Sequence, residues 1–346
     1  MFSEVVNNTQ FEPSSESLVN WCNDSHPDSR IRFQVMVPAN LVVSQLDQRT
    51  PGPRLPGVNL VSFRDRLNDH EFEVLVQASW IKHEVSLRDY YQHWAKFDGE
   101  TFLDSRLKDG NPDKVDLQTS RTIDDGQIWT TRRRGFKVGN GQAGFVLTIN
   151  CACPLEQYSQ QEAVIESVVN SFQLLTEPVH PFAEPLRLVT RREPVDFASY
   201  LPISWQEQPH NHDAPGPARF VFLRDLRGAT SGVFSMVVSD KGKFPAREDF
   251  LREAVSTWEP LGIDLNQIAF EESASLGKAQ TVRGTLAVQT RDGSTPKAYA
   301  LEMLLADFGS HWFNAEVLGP SPEQDFEAWA INHRALDIFA RQFRQA

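Results

Sequence analysis

The chain has 346 residues, 40% of them apolar and 23% charged, which is enough for two ordinary hydrophobic cores and is unlike a disordered or fibrous protein. Its formal net charge of -12 argues against nucleic acid as the main partner and against attraction to an anionic membrane surface. Three cysteines imply no disulfide framework and no run reaches the roughly 18 apolar residues of a spanning helix. The start, Met1-Phe-Ser-Glu, has no basic stretch leading into an apolar core, so a cytoplasmic protein is expected.

Residues 1–30 read as a polar arm with one short element near Leu18–Trp21. A first strand is predicted over about Ile31–Val43, built on Phe33-Gln-Val-Met-Val-Pro38, where apolar and polar residues alternate into a proline. The Pro/Gly-rich loop Thr50–Gly57 then leads into Val58–Phe63. Phe72, Val74, Val76, Ala78 and Trp80 share one phase of a half-buried antiparallel strand. The period then changes. Leu87, Tyr90, Tyr91 and Trp94 fall at helical spacing behind Ser86, a capping residue. Strands follow near Val115–Ile123, Gln127–Val138 and Gly144–Cys153, with Asp125-Gly126 and Asn140-Gly141 as hairpin turns. A second helix is predicted over Gln160–Leu174. Residues 176–194, with Pro178, Pro181, Pro185 and Pro194, read as a linker.

Beyond this stretch the order recurs. Phe197-Ala-Ser-Tyr-Leu-Pro202 restates the first strand. Phe63-Arg64-Asp65 matches Leu223-Arg224-Asp225, Val74–Ser79 matches Phe234–Ser239, and Asp89-Tyr90 matches Asp249-Phe250. Phe250, Leu251, Ala254 and Trp258 give a helical face, four strands follow, and a last helix carries Leu336, Phe339 and Phe343. A period this long suits a duplicated domain better than a solenoid. The expected fold class is α+β: two tandem copies of an antiparallel sheet with two helices packed on one face. The expected division is an arm (1–30), a first domain (31–175), the linker (176–194) and a second domain (195–346).

The strand that ends in a proline followed by an aliphatic or tryptophan residue (Phe33…Pro38-Ala-Asn-Leu41; Phe197…Pro202-Ile-Ser-Trp205), the hairpins, the mid-chain helix, the meander and the C-terminal helix ending near Ser171-Phe172 resemble PsbP-like domains. That fold is shared by PsbP, the Ran-binding protein Mog, DcrB and the Eag-type chaperones of type VI secretion. The resemblance covers nearly the whole chain as two copies, but it rests on fold-forming apolar positions. It departs at Leu41, where the tryptophan is missing, and at Phe339…Phe343, which replaces Ser-Phe. It implies a binding or adaptor role, usually non-enzymatic. Fold alone names no partner.

Candidate chemistry divides into functional and structural readings. Cys151 and Cys153 can be a redox or metal pair, but they share a strand face with Phe145, Leu147 and Ile149 and read as core residues. His210 and His212 alternate like metal ligands in a loop without a third partner. Gly139-Asn-Gly141-Gln-Ala-Gly144 lies between strands, where a phosphate-cradling loop would open a helix. Asp109-Gly-Asn-Pro-Asp113 reads as a turn, since it lacks EF-hand spacing. Arg132-Arg133-Arg134 reads as a solvated sheet edge, with Arg133 opposed to its neighbours. No Gly-x-Ser-x-Gly and no His-Glu-x-x-His is present. No cofactor, metal or catalytic residue is implied.

The partner-binding candidates are Trp129, Arg133 and Trp312, the tryptophans because they lie on the outward phase of strands whose apolar phase is the core. The alternative for the tryptophans is burial between the two copies. The function expected is a non-enzymatic protein-binding adaptor or secretion-associated chaperone, with a protein partner such as an apolar segment of a secreted client. A small-molecule or lipid-binding protein, and an enzyme with a site between the copies, are the alternatives.

Overall fold

The computed structural model describes residues 17–49, 57–65, 72–81, 85–105, 114–123, 126–139, 144–176, 184–209, 217–226, 228–261, 269–276, 279–292 and 295–345. The first series of elements is β1 (Leu18–Cys22), β2 (Phe33–Pro38), β3 (Leu41–Arg49), β4 (Gly57–Asp65), β5 (Glu73–Ile81), α1 (Leu87–Phe97), β6 (Thr101–Ser105), β7 (Lys114–Thr122), β8 (Ile128–Gly139), β9 (Gly144–Pro154), α2 (Tyr158–Ser171) and β10 (Gln173–Leu174). The second is β11 (Leu186–Arg191), β12 (Phe197–Pro202), β13 (Trp205–Glu207), β14 (Ala218–Leu226), β15 (Ala229–Asp240), α3 (Arg247–Val255), β16 (Ala269–Leu276), β17 (Ala279–Asp292), β18 (Thr295–Asp307), β19 (His311–Pro320), α4 (Phe326–Gln342) and β20 (Arg344–Gln345).

The fold is α+β and duplicated. One seven-stranded antiparallel sheet runs β3-β4-β5-β9-β8-β7-β6, and the other runs β13-β14-β15-β19-β18-β17-β16. Two small sheets, β1-β2-β10 and β11-β12-β20, repeat in the same way. Every strand of the first series therefore has a counterpart ten places later in the same position. The registers agree as well: Leu18, Asn20 and Cys22 face Pro38, Met36 and Gln34, as Leu186, Leu188 and Thr190 face Pro202, Tyr200 and Ala198. The arm thus contributes β1, and the stretch read as a linker contains β11. Both strands are short and lie beside prolines and polar residues, which hides their alternation.

One pairing inferred from sequence shifts by a residue. Phe63 pairs with Val74, and the residue that pairs with Phe234 is Phe222, not Leu223. Phe63 and Phe222 are both buried. A one-residue slip turns every side chain to the other face, so the buried aromatic is the safer marker of equivalence.

The chain forms two units, one of Met1–Lys82 with Trp94–Phe182, the other of His83–His93 with Ala183–Ala346. In the first unit α2 places Ile165, Val168 and Val169 against Val74, Val76, Ile149 and Cys151. In the second unit the helices do not share a face. α4 packs Leu336 and Phe339 on Phe234, Met236, Phe313 and Ala315. α3 packs Phe250, Leu251 and Ala254 with Val237, Leu301, Met303 and Leu305. Met236 and Val237 are neighbours on one strand and point to opposite sides. The expectation of two helices on one face is corrected here. Residues 234–239 of β15 are buried without a break, which is the pattern of a strand covered on both sides.

α4 approaches the sheet through Asn332. Its amide donates to the Ser231 carbonyl at 2.8 Å and lies between Gly232 and Gly319. A methyl group at Gly232 would stand 2.5 Å from Asn332 Oδ1, and one at Gly319 would overlap Asn332 Nδ2. The glycines are what allow this side chain to reach the backbone. No described helix is long and apolar enough to cross a membrane.

Candidate functional site

The three arginines of β8 divide by strand phase. Arg132 pairs with Asp116 and Glu166, and Arg134 pairs with Asp116 at 2.7 Å and donates to the Val169 carbonyl at 3.0 Å. Arg133, on the other face, bonds both Glu100 oxygens at 3.2 Å and Asn150 Oδ1 at 2.6 Å. The reading of this run as a solvated edge is overturned. β8 lies between β9 and β7, and Arg132 is buried at 1% exposure. The carboxylates that hold these charges come from β7, α2 and the residue before β6, so no local pattern announces them.

Trp129 is half-buried at the start of β8, with its Nε1 donating to Gln127 at 2.9 Å. Trp312 lies on β19 opposite in phase to Phe313, but α3 covers its face. Its ring stacks on Phe250 with centroids 6.4 Å apart, and its Nε1 donates to the Phe244 carbonyl at 2.9 Å. Lys241 Nζ sits 4.1 Å from the ring centre.

Cys151 and Cys153 both belong to the first core. Burial raises both thiols, Cys153 to about 11, so neither is a thiolate at neutral pH. Gly139 and Gly144 pair across the β8–β9 hairpin. The remaining residues of that glycine stretch, the His210–Asp213 loop and the Asp109–Asp113 turn lie outside the described residues.

Two ionisable clusters escaped the sequence reading, and both lie in the second unit. Glu316 of β19 is fully buried and accepts from Trp258 Nε1 at 3.0 Å and Asn314 Nδ2 at 2.8 Å, with Arg219 at 3.5 Å. Burial pushes its carboxyl up to about 6, against the opposing pull of Arg219 and its hydrogen-bond donors. Arg219 also donates to the Ala254 carbonyl at 2.7 Å, satisfying the C-terminal end of α3.

His333 of α4 places Nδ1 2.9 and 2.8 Å from the two Glu302 oxygens, and Nε2 3.6 Å from Asp337 and 4.0 Å from Asp89. Burial works to lower its pKa, but Glu302, Asp89 and Asp337 outweigh it and raise the ring to about 9. A ring that is charged at neutral pH is a structural cation and a poor general base.

The outer face of the β11-β12-β20 sheet is different in kind. Val189, Phe197, Ser199 and Leu201 point inward, and Ser199 Oγ donates to the Phe339 carbonyl at 2.6 Å. The alternate residues point out. Leu186 is 44% exposed and Leu188 53%, and Ile203 in the following turn is 51% exposed. Leu186, Leu188, Ala198 and Tyr200, with Gln342 and Arg344, line a shallow depression of about 400 Å³. In the first unit Asn20 stands where Leu188 does and Gln34 where Ala198 does, while Leu18 and Met36 keep apolar side chains, so the apolar row is interrupted there and continuous in the second copy. Sequence reading missed it because β11 lay inside the proline-rich stretch.

No protein-family model matches the chain, and no curated protein matches it. Among solved structures it is similar to the Ran-binding protein Mog1p of Saccharomyces cerevisiae, at 12% identity and a TM-score of 0.32, over 47% of this chain and 96% of that one. It is also similar to cyanobacterial PsbP from Synechocystis, at 15% identity and a TM-score of 0.27, over 46% and 93%. A type VI secretion immunity protein of Pseudomonas aeruginosa, TplEi, is matched at 10% identity and a TM-score of 0.23, over 96% and 99%. The chain spans 45% of a Bacteroides thetaiotaomicron protein that it also matches. PsbP and Mog1p belong to the group whose element order the sequence resembles. Likeness of this degree carries no activity or partner to this chain.

Proposed function

We propose that this chain is a non-enzymatic protein-binding adaptor or secretion-associated chaperone, acting in the cytoplasm, whose second unit receives an apolar segment of another protein. The observation that carries this reading is the exposed row of Leu186, Leu188 and Ile203 beside Tyr200, on a sheet whose other face is filled by its own core. Clustered apolar side chains at the surface of an acidic chain mark a contact site. The secretion-associated form of the role rests on the sequence resemblance to Eag-type chaperones. The two repeats are proposed as residues 31–175 and 195–346, each preceded by the small-sheet strand β1 or β11.

This reading moves the contact away from Trp312, which is packed under α3, and from Arg133, which is held by Glu100 and Asn150. Trp129 remains a candidate contact in the first unit. The test compares the tagged chain with its Leu186→Ser, Leu188→Ser double variant in affinity purification from native cells. A protein that co-purifies in stoichiometric amount with the parent and is lost with the variant supports the proposal, provided the circular dichroism of the two chains agrees. Equal recovery of every partner by both chains would sink it.

A further inference from the structure

We infer that a second copy of this chain pairs with the open edge of β11 in antiparallel register, with Leu188 facing its own counterpart. This goes beyond the docking of an apolar segment, since it concerns the strand's backbone edge and requires no client.

β11 is the outermost strand of its sheet, and among the described residues it is paired on one side only, with β12. The β11–β12 register runs from Leu186↔Pro202 to Arg191↔Phe197 without a bulge. The amide of Ile203 donates to the Pro185 carbonyl at 3.0 Å, which makes Pro185 and Ile203 a hydrogen-bonded pair. Hydrogen-bonded and non-hydrogen-bonded pairs alternate along an antiparallel ladder. The N–H and C=O groups of Leu186, Leu188 and Thr190 therefore point away from β12, toward the open side. An edge of this kind, unbroken by bulge or lysine and flanked by exposed leucines, is a template for another strand.

Charge then selects the register. With Leu188 opposite its counterpart, Leu186 meets Thr190 of the second copy, and all three open-edge residues face partners whose backbone groups also point outward. The Thr190 carbonyl, which accepts from Arg191 Nη1 at 2.7 Å, exchanges that exposed bond for the strand pairing. Glu184 then stands opposite Arg192 of the second copy. A shift of the axis to residue 187 sets Arg187 against Arg187, and a shift to residue 189 sets Arg187 against Arg191. Like charges directly opposite destabilise a strand pair. Strand length excludes the remaining shifts, since an axis at residue 186 leaves Thr190 beyond the facing strand and one at residue 190 leaves Leu186 beyond it. The result is an isologous six-stranded sheet in which the two apolar outer faces become continuous.

The test uses the full chain carrying Cys22→Ser, which removes the exposed thiol and leaves the two buried ones. On mild oxidation Leu188→Cys is expected to form a covalent dimer, because opposed strand residues stand about 5.5 Å apart, within disulfide reach. Leu186→Cys and Thr190→Cys are each expected to remain uncrosslinked alone and to crosslink when mixed. Light scattering of the unsubstituted chain is expected to give twice the monomer mass, and Leu188→Lys the monomer mass with unchanged circular dichroism. A monomer at every concentration tested overturns the inference. So does a dimer that Leu188→Cys fails to crosslink, or crosslinking by all three cysteine variants regardless of register.

Discussion

Glu316 and His333 are both shifted toward their protonated forms, Glu316 by burial and His333 by its carboxylate neighbours against burial, and both make the second unit less stable as pH rises. Glu316 has a folded pKa of about 6 against an ordinary 4.5, so the folded state binds its proton more tightly. The stability this contributes is present below 4.5 and is lost as pH rises through 6, about 2 kcal/mol in all. Glu316→Gln, which keeps the Trp258 contact without the charge, is expected to flatten the stability profile between pH 4.5 and 6 in urea denaturation. His333 has a folded value of about 9 against 6.5, so its contribution is full below 6.5 and is lost as pH rises through 9, on the order of 3 kcal/mol. His333→Gln is expected to remove that alkaline loss. A slope unchanged between pH 6.5 and 9 in the variant would refute the role given to the ring. Neither residue stood out in the sequence. Glu316 lies in Asn314-Ala-Glu-Val317, which alternates as a half-solvated strand does, and α3 with the turn that carries Trp258, arriving from residues 247–261, buries its polar phase. Trp312 was placed in the right phase and given the wrong surroundings for the same reason.

The elements themselves were legible wherever one face met the core. The alternation over β5 stands from Phe72 to Ala78 and breaks at Trp80, which is 49% exposed while Ser79 is buried. The helical spacing of α1 behind Ser86 stands, and Ser86 Oγ accepts from the Asp89 amide at 3.1 Å. β11 was lost because prolines on either side suggested a linker, although six residues suffice for a strand. The helix faces were lost because which side of a sheet a helix covers is decided by the connections. Where α4 meets the sheet, fit is set by Gly232, Gly319 and Asn332. Gly319→Ala is expected to cost about 1–3 kcal/mol in denaturant unfolding, the usual range for overpacking. Adding Asn332→Ala should recover part of that loss, because the two sites share one contact. Simple additivity of the two changes would show that the close approach is not the cause.

At the scale of the molecule the duplication was readable in the order and spacing of elements, although identities are sparse and one match slipped by a residue. The assignment of His83–His93 to the second unit was not readable, because the helical pattern of α1 gives its spacing and not its destination. Asp89 is one of three carboxylates around His333, so a fragment of residues 184–346 lacks it. In that fragment His333 is expected to titrate lower than in the full chain, which an NMR titration of the ring would show. An unchanged midpoint would mean that Glu302 and Asp337 alone set the charge.

The same segment also fixes an order of events. Asp89 and His333 are separated by about 240 residues of chain, a contact of the slow, non-local kind. During synthesis Asp89 leaves the ribosome long before α4 is made, and its carboxylate can be buried with its cation only after α4 is delivered. The second unit therefore cannot close until α4 has been made. A chain stopped after β19 would hold every strand of both large sheets and still lack the cation that gathers Asp89 and Glu302.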